Sequence, residues 1–172
     1  MLINVNSLAL GARSVDPSVT VAVVFTYHID GPKVVVQTAE GRGVYTCGYH
    51  ANQSALAPKG CLTGAEWNWA QVYRMYVTKM QAGETLPNFT RGGLAEGFVK
   101  MSPYGQAVSE AARKRADAAK AEIMKGGFAV FKGPLLDSTG RQVVAAGFAY
   151  PETAIELESM NWLAEGVKGS LA

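Results

Sequence analysis

The amino-acid sequence predicts an α/β fold with a mostly parallel sheet. Residues 19–29 form an apolar run rich in β-branched side chains, which is typical of a strand buried on both faces. Strand-like and helix-like segments then alternate along the chain, and a predicted hairpin follows only near its end. Alternation of this kind predicts βα units, in which helices join parallel strands.

The helices are predicted from apolar periodicity and from signals at their ends. Ser109 is a suitable N-cap for an Ala-rich, charged segment that closes at Gly126-Gly127. Residues 68–83 are amphipathic and end at Gly83, with a set of apolar residues at helical spacing: Trp69, Val72, Tyr76 and Met80. The predicted helices cover residues 2–13, 32–43, 68–83, 109–127 and 151–169, the last with Leu157, Met160, Ala164 and Val167 on one side.

Shorter apolar segments between the helices are predicted as strands. "VYTCGY" is a second strand, "CLTGAEW" is a short strand or a turn, and another short strand lies near Phe98 and Val99. Residues 128–150 predict two strands joined by a turn at residues 137–140.

The run at residues 19–29 is long for one strand, since strands typically have about 5–6 residues. It leads directly into Asp30-Gly31-Pro32, where Pro32 takes a natural first position of a helix. Parallel strands need a crossover of about a dozen residues or more, and none interrupts this run. We interpret residues 19–25 and 27–30 as the ends of two strands that have been fused, with the βα unit between them lost.

Composition limits the classes of function. The 172 residues are 48% hydrophobic and 17% charged, which is typical of one globular domain, and a net charge of +2 does not indicate a nucleic acid or an anionic membrane as partner. No apolar run approaches the roughly 20 residues that span a bilayer. The N-terminal residues lack the pattern of a signal peptide. The two cysteines, Cys47 and Cys61, can form at most one disulfide and do not identify the redox compartment.

The sequence lacks recognisable patterns for catalysis or metal binding. The two histidines, His28 and His50, lie in no metal-ligand spacing, and there is no nucleophile elbow, Walker loop or complete dinucleotide fingerprint. Glu66 is a lone carboxylate without an evident acid/base partner. We therefore predict a protein that is not an enzyme and that carries no metal or cofactor.

Polar and aromatic residues follow the predicted strands, where ligands gather in open α/β sheets. His50 and Asn52 follow the second strand, and Glu66, Trp67 and Asn68 follow the next. The helix beginning near Pro32 directs its N–H groups to the same crevice, so Asp30 and Gly31 are also candidates.

A tryptophan with amides and a histidine suits a flat, hydrogen-bonding heterocycle. The residues also allow simpler interpretations. Trp67 suits the core or a helix end equally well, and His50 and Asn52 suit ordinary turns.

Five segments of the chain resemble, in order, those of the basic membrane protein (BMP) family: "LALGARSVDP", "GVYTCGYHANQSALAPKGCLTGAEWNW", "GGLAEGFVKMSPYG", "FKGPLLDSTGRQVVAAG" and "LESMNWLAEGVKG". These proteins, often lipoproteins, are the substrate-binding components of ABC importers for purines and nucleosides. The resemblance implies a type I periplasmic-binding-protein fold, in which two α/β lobes close on the ligand by a hinge motion. It also implies that residues 1–172 are a single partial substrate-binding domain, mostly the C-terminal lobe.

Three departures from the family pattern matter. The chain begins near the crossover into the second lobe, so we expect most of the first lobe and the signal sequence to be absent. The family carries a helix and a strand between "VVFT" and "HIDGP", which makes Thr26-Tyr27 a deletion junction. His50 stands where many relatives have an aspartate, and Trp67 lies where they have a lysine nearby. Because those groups resemble ribose-holding ones, their replacement predicts a free base such as adenine rather than a nucleoside.

The resemblance also implies a partner and a location. The partner is an ABC permease, and relatives work in the periplasm or on the outer face of the plasma membrane. The predicted ligand-binding residues are His50, Asn52, Trp67, Asn68, Asp30 and Gly31. Loss of a βα unit would uncover apolar sheet surface and favour self-association.

Other classes of function stay open from the sequence. A purine-processing enzyme would need a perturbed acid or base, for which Glu66 is the candidate. A sensory ligand-binding domain would need a fused signalling domain. A nonfunctional gene remnant is the third alternative.

Overall fold

The computed structural model describes residues 2–23, 31–151 and 154–170. The chain divides into two compact units, described separately: a terminal unit (Met1–Thr26 and Gly127–Ala172) and a central unit (Tyr27–Gly126). The elements are, in chain order, α1 (Leu2–Val15), β1 (Val21–Ala22), α2 (Gly31–Gly41), β2 (Thr46–His50), β3 (Cys61–Trp67), α3 (Trp69–Gln81), β4 (Val99–Met101), α4 (Glu110–Met124), β5 (Leu135–Leu136), β6 (Gln142–Val144), a 3₁₀ helix (Ile155–Ser159) and β7 (Val167–Lys168).

The predicted α/β class is confirmed. Among the described residues, β1–β7 and β2–β3 pair in parallel, while β3–β4 and β5–β6 pair antiparallel. "CLTGAEW", which the sequence left as a strand or a turn, is a seven-residue strand. The hairpin predicted around residues 137–140 is present as β5 and β6.

Within the predicted strand at residues 19–29, the described part contains only β1, which pairs in register with β7 through Val21 and Val167. The proposed fusion at Thr26-Tyr27 and the candidate Asp30 lie outside the described residues. The lobe assignment of residues 1–172 stays a prediction.

The terminal unit is organised around a buried asparagine on α1. The Asn6 side chain is fully buried; its Nδ2 donates to the carbonyl of Trp162 and its Oδ1 accepts from the amide of Ala164, both at 2.8 Å. Ala9, Leu163, Ala164 and Val167 form a buried cluster beside it. A polar side chain thus fixes the path of a distant segment through that segment's backbone groups.

The prediction of a helix over residues 151–169 is wrong. The described part contains the short 3₁₀ helix at Ile155–Ser159, then a non-helical segment at residues 160–166, and then β7. The backbone groups of that segment are used by tertiary partners: Asn6 binds two of them, and the Leu163 carbonyl accepts from the Ser138 amide at 2.7 Å. Because these contacts are distant in sequence, apolar spacing alone indicated the wrong element.

The central unit contains the three-stranded sheet β2-β3-β4 and the helices α2, α3 and α4. Its helix ends follow the sequence signals: Ser109 Oγ accepts from the Ala112 amide at 3.2 Å, and Gly43 and Gly83 have positive φ. Gly64 lies so close to β2 that an added Cβ would be 2.7 Å from the Gly48 carbonyl oxygen. The two parallel strands that carry candidate site residues are therefore closely apposed.

The face that α3 buries differs from the predicted one. Val72 and Tyr76 are half-buried as expected, but Trp69 is 57% and Met80 63% exposed. No residue of α3 is fully buried. The helix consequently presents large apolar side chains at its start and its end.

Candidate functional site

The carboxyl ends of β2 and β3 lie side by side in the central unit. The two strands run in parallel, and His50 at the end of β2 is in register with Glu66 near the end of β3. Trp67 is the last residue of β3 and Asn68 follows it. The structure therefore brings the predicted residues from both strands to one edge of the sheet, as parallel pairing requires.

His50 and Trp67 are in direct contact. The indole Nε1–H of Trp67 donates a hydrogen bond to Nδ1 of His50, and the ring centroids are 5.9 Å apart. His50 has a φ of 73°, which is uncommon for a residue other than glycine. This left-handed conformation ends β2 and places the imidazole beside the indole.

Three further aromatic residues extend this contact. The aromatic cluster consists of Tyr49, His50, Trp67, Trp69 and Tyr73. The Trp67 and Trp69 rings lie 6.2 Å apart, and Trp69 stacks on Tyr73 at 6.0 Å. Between 39% and 65% of the surface of each Trp and Tyr in the cluster is exposed. The cluster is thus a solvent-facing aromatic surface rather than part of the core.

Tyr49, Trp69 and Tyr73 were not among the predicted site residues. Trp69 fits the apolar spacing of its helix, but it lies in the first turn, directly beyond β3. The available signal was position: Trp69 and Tyr73 are four residues apart and therefore share a helix face immediately after a strand end.

The two candidate asparagines have local structural partners. Asn52 Oδ1 accepts from the Ser54 amide at 2.9 Å, which is the ordinary turn role that the sequence also allowed. Asn68 Nδ2 donates to the Gly97 carbonyl at 2.8 Å, and its side chain does not cap α3. Gly31 is the first residue of α2. A role for these residues in ligand binding stays a prediction.

Glu66 is held by the neighbouring strand. Ser102 Oγ donates to one carboxylate oxygen at 2.6 Å, and Lys100 Nζ lies 3.3 Å from the other. The hydrogen bond from Ser102 and the charge of Lys100 lower the pKa of Glu66 below its ordinary value. A carboxyl whose pKa is lowered stays ionised at neutral pH, so it is poorly suited to act as a general acid.

The described residues contain no group of three or more His, Cys, Asp or Glu side chains that would hold a metal ion. Cys47 and Cys61 are both free thiols. Within the same residues, no helix has the length and apolar character needed to cross a membrane.

The sequence profile of a family described as "ABC transporter substrate-binding protein PnrA-like" (Bmp) matches residues 9–131. A purine-binding protein of Brucella abortus is 26% identical over 192 aligned positions, which cover 97% of this chain and 54% of the relative. A putative ABC transporter glucose-binding protein of Haloferax volcanii is 22% identical over 193 positions, covering 98% of this chain and 46% of the relative. This chain thus spans about half the length of each.

Both alignments contain more positions than the 172 residues of the chain, so each includes positions at which this chain has no residue.

The crystal structure of a transcriptional activator of the comK gene from Bacillus halodurans superposes with a TM-score of 0.54 at 20% identity, covering 70% of this chain and 42% of the other. That similarity concerns the fold alone. The profile match covers well over half of the chain, and the chain belongs to the PnrA-like family of ABC transporter substrate-binding proteins.

Proposed function

We propose that this chain captures a purine base as the solute-binding component of an ABC importer, with no chemical conversion of the ligand. The observation that carries the proposal is the solvent-facing aromatic cluster at the carboxyl ends of β2 and β3. Flat heterocycles stack on such side chains, and each stacked base contributes about 1–3 kcal/mol. A similar protein from Brucella abortus is named as purine-binding.

The preference for a free base over a nucleoside rests on the side chains at the strand ends. A carboxylate would accept hydrogen bonds from vicinal ribose hydroxyls, but His50 stands where many relatives have an aspartate. The Nδ1 acceptor of His50 is also already occupied, because Trp67 Nε1–H donates to it. We therefore assign aromatic stacking to this edge and expect no ribose clamp.

The wider assembly follows from the family. The partner of the whole protein would be an ABC permease, and the protein would act outside the inner membrane. The chain would supply mostly the second lobe, with the segment lost at Thr26-Tyr27 accounting for positions in the alignments that have no residue here. We also propose that copies of this chain self-associate through the sheet surface that loss of the βα unit would uncover.

A second ligand class is a sugar. The Haloferax volcanii relative is named as a putative glucose-binding protein. Glucose therefore belongs in the ligand panel beside the purines.

The test is a thermal melt of the purified chain with adenine, guanine, hypoxanthine, adenosine, inosine or glucose. A ligand that binds only the folded state stabilises it by about 2.7 kcal/mol at 100 times its dissociation constant. We expect a free base to raise the melting temperature and nucleosides to leave it unchanged. Stabilisation by inosine equal to that by hypoxanthine would contradict the preference for a base. Stabilisation by glucose alone would mean that the ligand is a sugar and not a purine.

A Trp67→Ala variant tests whether the aromatic cluster is the site. Loss of a stacking contact of about 1–3 kcal/mol predicts binding weaker by about 5- to 150-fold in calorimetry. Tyr45→Ala is the matched control, because Tyr45 is 60% exposed and lies outside the aromatic cluster. Equal affinities for the two variants would remove Trp67 from the site.

A further inference from the structure

The contact between Trp67 and His50 determines which imidazole nitrogen carries the proton. An indole N–H can only donate, so His50 Nδ1 is the acceptor in this hydrogen bond. In a neutral imidazole one nitrogen is the acceptor and the other carries the hydrogen. When its imidazole is neutral, His50 therefore carries its hydrogen on Nε2.

The surroundings hold this arrangement. His50 is the last residue of β2, and the Tyr49 ring packs against the imidazole with centroids 4.0 Å apart. The carboxylate of Glu66, the residue in register with His50, is already bound by Ser102 and Lys100. His50 itself is exposed, and its Nε2–H donates to no residue within the described ranges 2–23, 31–151 and 154–170.

We propose that His50 is a specificity-determining hydrogen-bond donor, which Trp67 holds in the Nε2–H form and which selects ligands that present an acceptor. This inference rests on the proposed function and specifies its ligand chemistry: a flat heterocycle with a ring nitrogen or carbonyl oxygen directed at His50. A ligand with an N–H at that position meets a second donor and gains no hydrogen bond. Trp67 then has two roles, stacking and orienting His50.

The first experiment measures the tautomer directly in the ligand-free full chain by long-range ¹H–¹⁵N NMR. A His28→Gln variant assigns the signals, because the chain has two histidines. We expect His50 Nδ1 to be unprotonated and Nε2 to be protonated. Trp67→Phe keeps a ring but removes the donor, so the spectrum should shift to a mixture of tautomers.

Trp69→Phe is the matched control, since Trp69 contacts the Trp67 ring and forms no indole hydrogen bond to His50. Its spectrum should equal that of the parent chain. A protonated Nδ1 in the parent, or an unchanged tautomer in Trp67→Phe, would overturn the proposal.

The second experiment identifies the ligand atom. Adenine is compared by calorimetry with its 1-, 3- and 7-deaza analogues, each of which lacks one ring-nitrogen acceptor. One analogue should bind the parent chain about 3- to 10-fold more weakly, the range of one net hydrogen bond. The same analogue should lose nothing relative to adenine in His50→Phe. Equal losses in parent and variant would remove His50 from recognition.

A His50→Gly variant provides a second test if His50→Phe fails to fold, because glycine adopts positive φ without strain. Failure of the proposed function can be distinguished from failure of the donor role of His50. A chain that binds none of the purines overturns the proposed function and the donor role, whereas purine binding with the opposite tautomer overturns only the role of His50.

Discussion

The three tryptophans of the chain occupy two contrasting environments. Trp162 of the terminal unit is half-buried and meets the buried Phe131 edge to face at 6.1 Å. Trp67 and Trp69 of the central unit are 39% and 57% exposed. The tryptophan of the terminal unit thus contributes to packing, while the two of the central unit face solvent beside two strand ends.

Helices α1, α3 and α4 show the same contrast. Helix α1 buries Asn6 and Ala9 against the segment that leads to β7, whereas α3 and α4 have no fully buried residue. Apolar surface left exposed forgoes stabilisation of about 25 cal/mol per Å². Large exposed aromatic groups therefore indicate either a binding surface or a surface that another element covers.

The largest expected effect on stability is in the terminal unit. Asn6→Ala would leave the Trp162 carbonyl and the buried Ala164 amide without their side-chain partner. We expect a loss of about 2–4 kcal/mol in the free energy of unfolding, since each unsatisfied buried group costs about 1–3 kcal/mol. Denaturant titration measures it, with Asn161→Ala as the control because Asn161 is exposed. Equal stability of the two variants would show that Asn6 does not organise this unit.

A smaller effect is expected in the central unit from Gly64→Ala. The new Cβ would lie 2.7 Å from the Gly48 carbonyl oxygen, which forces β2 and β3 apart. Overpacking of this kind costs about 1–3 kcal/mol, and purine binding should weaken with it because His50 and Trp67 end these strands. Gly41→Ala is the control, since a Cβ there meets no atom within 4 Å. Unchanged stability and binding in Gly64→Ala would contradict the close apposition of the strands.

The smallest effect appears only in acid and again concerns the terminal unit. The Thr139 hydroxyl donates a hydrogen bond to Asp137, and the backbone amides of Thr139 and Arg141 donate further ones. These hydrogen bonds lower the pKa of Asp137 from 3.8 to about 2. A lowered pKa in the folded state stabilises the fold above pH 4, and this contribution is lost as the pH falls from about 4 towards 2. Asp137→Asn should therefore flatten the pH dependence of the melting temperature in that range.

The control for the acid experiment is Glu110→Gln, which removes an exposed carboxylate from an ion pair with Lys114. Its melting profile between pH 5 and pH 2 should follow that of the parent chain. A profile of Asp137→Asn that also follows the parent would show that the hydrogen bonds around Asp137 do not contribute to acid stability.

Much of the fold was predictable where local signals agree. Ser109 and the glycines at 126 and 127 bound α4, and the turn at 137–140 joins the two strands predicted around it. These elements depend on caps and turns formed by residues close in sequence. The segment before β7 is not predictable in this way, because its backbone partners lie on α1 and on the turn near Ser138, far away along the chain.

The candidate site was predictable only in outline. Polar and aromatic residues after two strands indicated His50 and Trp67, and the parallel register places them together. The exposure of Trp69 was not predictable, because helical spacing identifies a face but not whether a neighbouring element covers it.

The sequence by itself determined the α/β class, the family resemblance and the strand ends that carry the candidate residues. These follow from periodicity, helix caps and ordered motifs, which are local properties of the chain. Only the tertiary structure decided that the segment between the 3₁₀ helix and β7 is not helical, that the aromatic cluster faces solvent and that Trp67 donates to His50. Each of these depends on contacts between residues distant in sequence, or on the absence of a covering neighbour among the described residues, and neither can be read from local pattern.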